Sequence, residues 1–258
     1  MHYAFRRGPA YFWMTRFLDC SLDSPEHNLA LDEALLDALQ AVDTSGERPV
    51  ETLRLWESNR PFIVIGRSAR LNDEVDAEAC ARAGVPVLRR VSGGGTVMVG
   101  PGCLAFTLVL SLTRRPEHRD IRRSMRIIVE SLASALPLDG LHLEGTSDLC
   151  WHAWKVSGHA QRRTRDALLH HGTLIYGLDL PLMASLLREP ARQPEHRAAR
   201  RHLDFVRNLP LTAGAIKQAL ARAWDAEPDP DFVLPPLDGL VARKYANPLW
   251  NLEGSISA

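Results

Sequence analysis

The sequence predicts an α+β fold. Two observations carry that reading. Helical and strand patterns are mixed along the 258-residue chain, and several strands follow one another directly in its middle instead of alternating with helices. Hydrophobic residues make up 45%, enough to bury a real core at this length.

The elements run in order. Residues 1–13 are expected to be an N-terminal tail, and 14–258 a single domain. Residues 24–42 read as a helix, with Ser24 as N-cap, Pro25 and Glu26 in the first turn, and Leu29, Leu35, Leu36 and Leu39 at helical spacing. Residues 52–56 alternate with period two, a strand, and 62–65 form a short apolar strand closed by Gly66-Arg67. A helix over 73–83 leads to a strand over 85–88 that runs into Arg89 and Arg90. Ser92-Gly93-Gly94-Gly95 breaks the chain, and 104–110 is a buried strand. An amphipathic helix over 118–136 ends before Pro137. Strands follow near 140–144, 147–151, 154–158 and 168–176. Helical pieces at 180–188, 197–206 and 212–225 are separated by Pro190 and Pro194 and end before Pro228.

Composition narrows the function. Basic and acidic residues number 31 each. That balance excludes a scaffold that holds nucleic acid by broad phosphate neutralisation. No apolar run approaches the roughly 18 residues of a membrane span. Cys20, Cys80, Cys103 and Cys150 show neither CxxC nor zinc spacing. Arg6 and Arg7 have no apolar stretch behind them, so no signal peptide is read, and a cytoplasmic enzyme is expected. Only Lys155, Lys217 and Lys244 are lysines. A lysine retained in so arginine-rich a chain invites the question whether a compact, flexible ammonium is required there.

Three constellations could carry chemistry. The run Arg89-Arg90-Val91-Ser92-Gly93-Gly94-Gly95-Thr96-Val97 can aim backbone N–H groups at an anion, with the arginines supplying charge. It reads equally as a plain glycine-rich hairpin with a charged shoulder. Lys155, between Trp154 and Val156, could face a phosphate or a developing oxyanion, or snorkel along Trp154 as a solvated strand lysine. His170 and His171 are adjacent on a strand and face opposite ways, so they do not readily share a metal ion.

Taken in order, these pieces resemble the lipoate–protein ligase branch of the biotin/lipoate ligase family. The matching residues are Asn28-Leu29-Ala30 with the acidic Asp32 and Leu35, Gly66-Arg67, Arg89-Arg90 with Ser92-Gly93-Gly94-Gly95 and Val97, Asp148-Leu149, Lys155-Val156-Ser157-Gly158 with Ala160, and His171-Gly172-Thr173. Lys244-Tyr245 and Trp250-Asn251 form a fainter echo. The resemblance implies a central mixed or antiparallel sheet, a smaller second sheet and flanking helices. It implies activation of lipoate by ATP, with Mg²⁺, to lipoyl-adenylate. Transfer then goes to a lysine of a lipoyl-carrier domain, on a 2-oxoacid dehydrogenase E2 or the glycine cleavage H protein.

By motif position, the resemblance assigns Arg90, Gly94, Gly95, Thr96, Val97, Met98 and Asp148 to the nucleotide, with Lys155 bridging acyl carbonyl and α-phosphate as the catalytic residue. Arg89, Ser92, Gly93, Gly158, His159, Ala160, His171, Gly172 and Thr173 fall to lipoate. No metal ligands are assigned, and no nucleic-acid or membrane partner is expected. Three departures stand out: no histidine shortly follows the glycine loop, His159 replaces a small residue, and no glycine precedes Lys155. The added C-terminal domain of many relatives is not expected, so a small accessory protein is an expected partner. The competing reading is an octanoyl- or lipoyl-transferase with a cysteine nucleophile, for which Cys103 and Cys150 lie nearest. Lys217 reads as an ordinary solvated residue.

Overall fold

A computed structural model describes residues 15–45 and 50–255; the expected tail, 1–13, lies outside them. The strands are β1 (Thr15–Asp19), β2 (Thr52–Trp56), β3 (Phe62–Ile65), β4 (Val87–Arg89), β5 (Val97–Val99), β6 (Cys103–Ser111), β7 (Leu141–Glu144), β8 (Asp148–Trp151), β9 (Trp154–Arg163), β10 (Ala167–Ile175) and β11 (Ala226–Pro228). Eight form one mixed sheet in the order β11-β1-β2-β6-β10-β9-β8-β7, and three form a small sheet, β4-β3-β5. The pairs β11–β1 and β1–β2 are parallel, and the remaining pairs of the large sheet antiparallel.

Helix α1 (Pro25–Ser45) starts where its cap predicts: Ser24 Oγ accepts from the His27 N–H at 3.2 Å. Its leucines pack, with the small sheet, against one face of the large sheet. Helices α2 (Leu71–Glu74) and α3 (Ala77–Ala83) replace the single helix expected over 73–83. Between them Val75 is extended and bridges Leu187, and Asp76 caps α3 by accepting from the Ala79 N–H at 2.9 Å. Helix α4 (Ile121–Ala135) starts later than expected, capped by Asp120; residues 116–118 form a separate 3-10 turn. Met125, Ile128, Val129 and Leu132 make its buried stripe and cover the opposite face of the large sheet. The all-buried β6 is sandwiched between these two cores.

Helix α5 (Leu180–Leu186) is followed by a broken stretch where 197–206 was expected to be helical. It contains a 3-10 turn, Glu195–Arg197, two left-handed residues, Ala198 and Ala199, and the single turn α6 (His202–Phe205). Helix α7 (Ala213–Ala223) joins α4 on the second core. The chain closes with α8 (Asp238–Leu240), a π-turn over 241–245 and α9 (Pro248–Glu253). Strands β1, β5 and β11 and this closing segment had no counterpart in the sequence reading. No described helix is long and apolar enough to cross a membrane.

Candidate active site

Two chambers meet on the α1 side of the large sheet. The inner one, about 140 Å³, lies among α1, β2, β6, β9, β10 and the small sheet, with Leu29, Trp56, Val64, Val97, Val99 and Ala105 as its apolar lining. The outer one, about 480 Å³, is more polar and is bordered by Glu74, Arg188, Arg192 and His196. Both are lined by Gly95, Thr96, Val97, Ser147, Asp148, Lys155, Gly158 and Thr173.

Lys155 reaches this junction because of a strand irregularity. On β9, Ser157 and His159 pair with Leu174 and Gly172 of β10. The His159 ring lies against Phe106 of the second core. Strict alternation would send Lys155 to that same face. Between β8 and β9, however, Leu149 pairs with Ser157 while Cys150 pairs with Lys155, leaving Val156 as an extra residue. This bulge turns Lys155 onto the face of Asp148 and Gly158. Lys155 Nζ sits 2.8 Å from Asp148 Oδ1. Gly158 leaves the space the ammonium uses: a Cβ there would lie 3.2 Å from both Cε and Nζ of Lys155. Asp148 is 6% exposed, and its second oxygen, Oδ2, is 3.1 Å from His196 Nε2.

Arg90 holds the glycine loop from within. Its Nε donates to Ser92 Oγ at 2.9 Å, its Nη1 to the Val64 carbonyl at 3.2 Å, and its Nη2 to the carbonyls of Gly93 and Gly95 at 2.6 and 2.8 Å. Burial lowers its pKa to about 10, so it stays charged at neutral pH. Gly94 takes φ +87° directly over the guanidinium, a conformation open to glycine. Ser92 Oγ also lies 2.5 Å from His171 Nε2. Since Arg90 donates to it, its own hydrogen is free for the ring nitrogen. Burial, with Arg90 and His159 nearby, lowers the His171 pKa to about 3; burial likewise takes His159 to about 3. Burial therefore holds both rings neutral at physiological pH.

Of the expected nucleotide residues, Gly95, Thr96, Val97 and Asp148 line both chambers, Arg90 and Gly94 the inner one and Met98 the outer. Of the expected lipoate residues, Gly158, His159, Ala160, His171, Gly172 and Thr173 line the inner chamber. Ser92 and Gly93 stand behind the wall. Arg89 requires a correction: it lines neither chamber. Its side chain turns away from Arg90, as strand neighbours do, and donates to the carbonyls of Trp250, Gly66, Arg67, Ala69 and Leu252. Lys217 is also not free: it bridges Asp19 at 2.8 Å and Glu57 at 3.2 Å. Lys244 pairs with Glu33 at 2.6 Å, outside both chambers.

Sequence reasoning matched Asp32 within the Asn28–Leu35 motif without giving it a role, and missed His196. Asp32 lines the inner chamber and is bound by the buried Arg54 at 2.6 Å; burial raises its pKa against the pull of Arg54. A carboxylate three residues from Leu29 and three from Leu35, on the apolar stripe of α1, was a readable signal. His196 gave none, because it sits in an aperiodic stretch between prolines. Cys103 and Cys150 are buried, with thiol pKa values raised to about 12 mainly by burial, and no cysteine lines either chamber among the described residues.

Residues 24–224 match the family model of the lipoyl protein ligase A/B catalytic domain. The chain is 26% identical to the octanoyltransferase LipM of Geobacillus kaustophilus, over 92% of this chain and 98% of that one. It is 27% identical to the lipoate-protein ligase LplJ of Bacillus subtilis, over 65% of this chain and 47% of that one. A bi-partite lipoate protein ligase from Thermoplasma acidophilum, described with its E2 lipoyl domain, superposes with a TM-score of 0.78 at 21% identity, covering 95% of this chain and 98% of that one; this likeness speaks for the fold. The chain therefore belongs to the lipoyl protein ligase A/B catalytic-domain family, acyl-transferring enzymes that include lipoate–protein ligases and octanoyltransferases.

Proposed function

We propose that the protein is a lipoate–protein ligase that activates lipoate with ATP and passes the acyl group to a lysine of a lipoyl-carrier domain. The observation that carries this reading is the Lys155–Asp148 pair at the junction of an apolar chamber and a polar one. The acyl chain fits the inner chamber. The nucleotide fits the outer one, beneath the glycine loop.

In the first step the lipoate carboxylate oxygen attacks the α-phosphorus of ATP, and the bond to the pyrophosphate oxygen breaks. In the second, the carrier lysine amine attacks the acyl carbon. AMP leaves with its oxygen, and the amine gives up a proton. Negative charge builds first on the α-phosphoryl oxygens and then on the acyl oxygen. Lys155, on a flexible stem, serves both positions from one anchor. Arg90 shapes the loop whose backbone wraps the adenylate. The neutral His159 and His171 add no further charge to the inner chamber.

Asp148 and Glu74 are the carboxylates that line the outer chamber. No group of three or more candidate metal ligands occurs among the described residues. This fits an Mg²⁺ that arrives on ATP, where it would screen phosphate charge, better than a resident ion. E2 lipoyl domains and the glycine cleavage H protein are the proposed acceptors, and a small accessory protein the proposed helper.

The similarity to LipM favours a second reading, octanoyl or lipoyl transfer through a cysteine thioester. Against it, Cys103 and Cys150 are buried, too weakly acidic to supply thiolate, and outside both chambers. The deciding experiment quenches a mixture of protein, ATP and lipoate in acid and looks for lipoyl-adenylate. Its appearance supports the ligase. A covalent acyl-enzyme formed from an acyl thioester, with no adenylate, supports the transferase.

A further inference from the structure

We propose that His196 is a positioning residue for Lys155, acting through Asp148; the inference rests on the ligase reading above. Asp148 is almost fully buried, and both its oxygens are engaged, Oδ1 by Lys155 at 2.8 Å and Oδ2 by His196 Nε2 at 3.1 Å. With a proton on Nε2, the ring donates to the carboxylate whether the imidazole is neutral or charged. Adenylation requires Lys155 to leave Asp148 for the reacting phosphate. A largely buried carboxylate left without a partner is costly. His196 keeps one charge-assisted hydrogen bond on Asp148 at that moment, so the ammonium can depart and return to a fixed anchor.

The surroundings hold His196 for this task. Its ring packs on Phe205, with centroids 5.6 Å apart. Gly145, at φ +60°, leaves the space beside it, since a Cβ there would lie 3.0 Å from His196 Cε1. The 3-10 turn that carries His196 is followed by Ala198 and Ala199 at φ 51° and 59°, two non-glycine residues in the left-handed region. Such strain persists where surrounding contacts enforce it. Here Arg200 enforces it, donating to the His196 carbonyl at 2.9 Å and to the Ala153 carbonyl, in the turn just before Lys155, at 2.8 Å. The neighbouring Arg197 is committed elsewhere, to Glu189 and to the Arg200 carbonyl.

The test compares wild type, His196→Ala and His196→Gln in two measurements. The first is lipoate-dependent ATP–pyrophosphate exchange. His196→Ala is expected to lower kcat by about tenfold, with KM for ATP and lipoate little changed, and His196→Gln, whose amide still donates, to recover most of the loss. The second needs no activity. With three lysines in the chain, amine acylation can be followed by mass spectrometry at each. His196→Ala is expected to slow labelling of Lys155 severalfold, because the ammonium is then the sole partner of Asp148, leaving Lys217 and Lys244 unchanged. Unchanged kcat and unchanged Lys155 labelling in His196→Ala overturn the proposal. So does equal impairment of both variants with a matching loss of thermal stability, which marks a merely structural residue. A wild type without exchange defeats the ligase reading instead, and the labelling result then decides the role of His196 alone.

Discussion

Lys155 Nζ and Asp148 Oδ1 lie 2.8 Å apart on adjacent strands, in a register set by the extra residue Val156. Without that bulge, regular alternation would bury the ammonium against Phe106 and the second core. The pair therefore depends on local backbone geometry as much as on residue identity.

Gly158 supplies the room for this geometry. The variant Gly158→Ala places a methyl group 3.2 Å from Lys155 Cε and Nζ, and the flexible end of the lysine gives way first. Adenylate formation is expected to fall at least about tenfold, because a displacement of about 1 Å is enough to misalign a reacting group. The thermal midpoint should barely move. A fully active Gly158→Ala enzyme would show that Lys155 is not held where the chemistry occurs.

The cysteines give an opposite expectation. The double variant Cys103→Ala, Cys150→Ala should retain acyl transfer to a carrier domain within about twofold, since no reacting thiol is removed. A dead double variant that still folds, as judged by circular dichroism, would move the mechanism to thioester transfer.

Arg89 is expected to matter for stability and not for substrate binding. It donates to five backbone carbonyls and ties the base of the glycine loop to α9; Trp250 Nε1 and Asn251 Oδ1 bond the Arg89 backbone in return. The variant Arg89→Met should cost about 3 kcal/mol or more in urea unfolding, because several buried acceptors lose a charged donor together. Its KM for lipoate, measured on the folded fraction, should stay close to wild type. A raised KM with unchanged stability would return Arg89 to the substrate.

Acid should weaken the fold through three buried histidines. His118, His159 and His170 are joined through Ser124 and Gln161 in one hydrogen-bonded line. Burial lowers the pKa of His118 to about 4 and of His159 to about 3, and takes His170 well below the usual value of 6.5. In the unfolded chain all three titrate near 6.5. The unfolded state thus binds more protons below that pH, and stability present at pH 7 and above is lost as pH falls from about 6.5 toward 4. Unfolding at pH 5 should take up about three protons from this line and about one more from His171, which burial also holds near 3. Calorimetry in buffers of different ionisation enthalpy measures the uptake; none at pH 5 would contradict the buried-neutral assignment.

Much of this fold could be read in the residues. The Ser24 cap and leucine stripe of α1, the apolar run of β6 and the glycine loop each have local causes, and each appears where those causes put it. Strand β1 does not, because its parallel pairing with β2 and β11 joins segments far apart in sequence. At the site, the alternation that separates His170 from His171 also separates Arg89 from Arg90. The Val156 bulge was beyond reach, since an extra residue in a strand shows only against its partner's register. His196 was hidden for a related reason: its turn is maintained by Arg200, not by a local motif.

The most direct test of the account is ATP–pyrophosphate exchange with lipoate, octanoate and biotin supplied separately, run on wild type and Lys155→Ala in parallel. The account predicts exchange in the wild type with lipoate, none with biotin, and loss of the lipoate signal in a Lys155→Ala protein whose circular dichroism and melting midpoint match wild type. Full exchange in folded Lys155→Ala would contradict it.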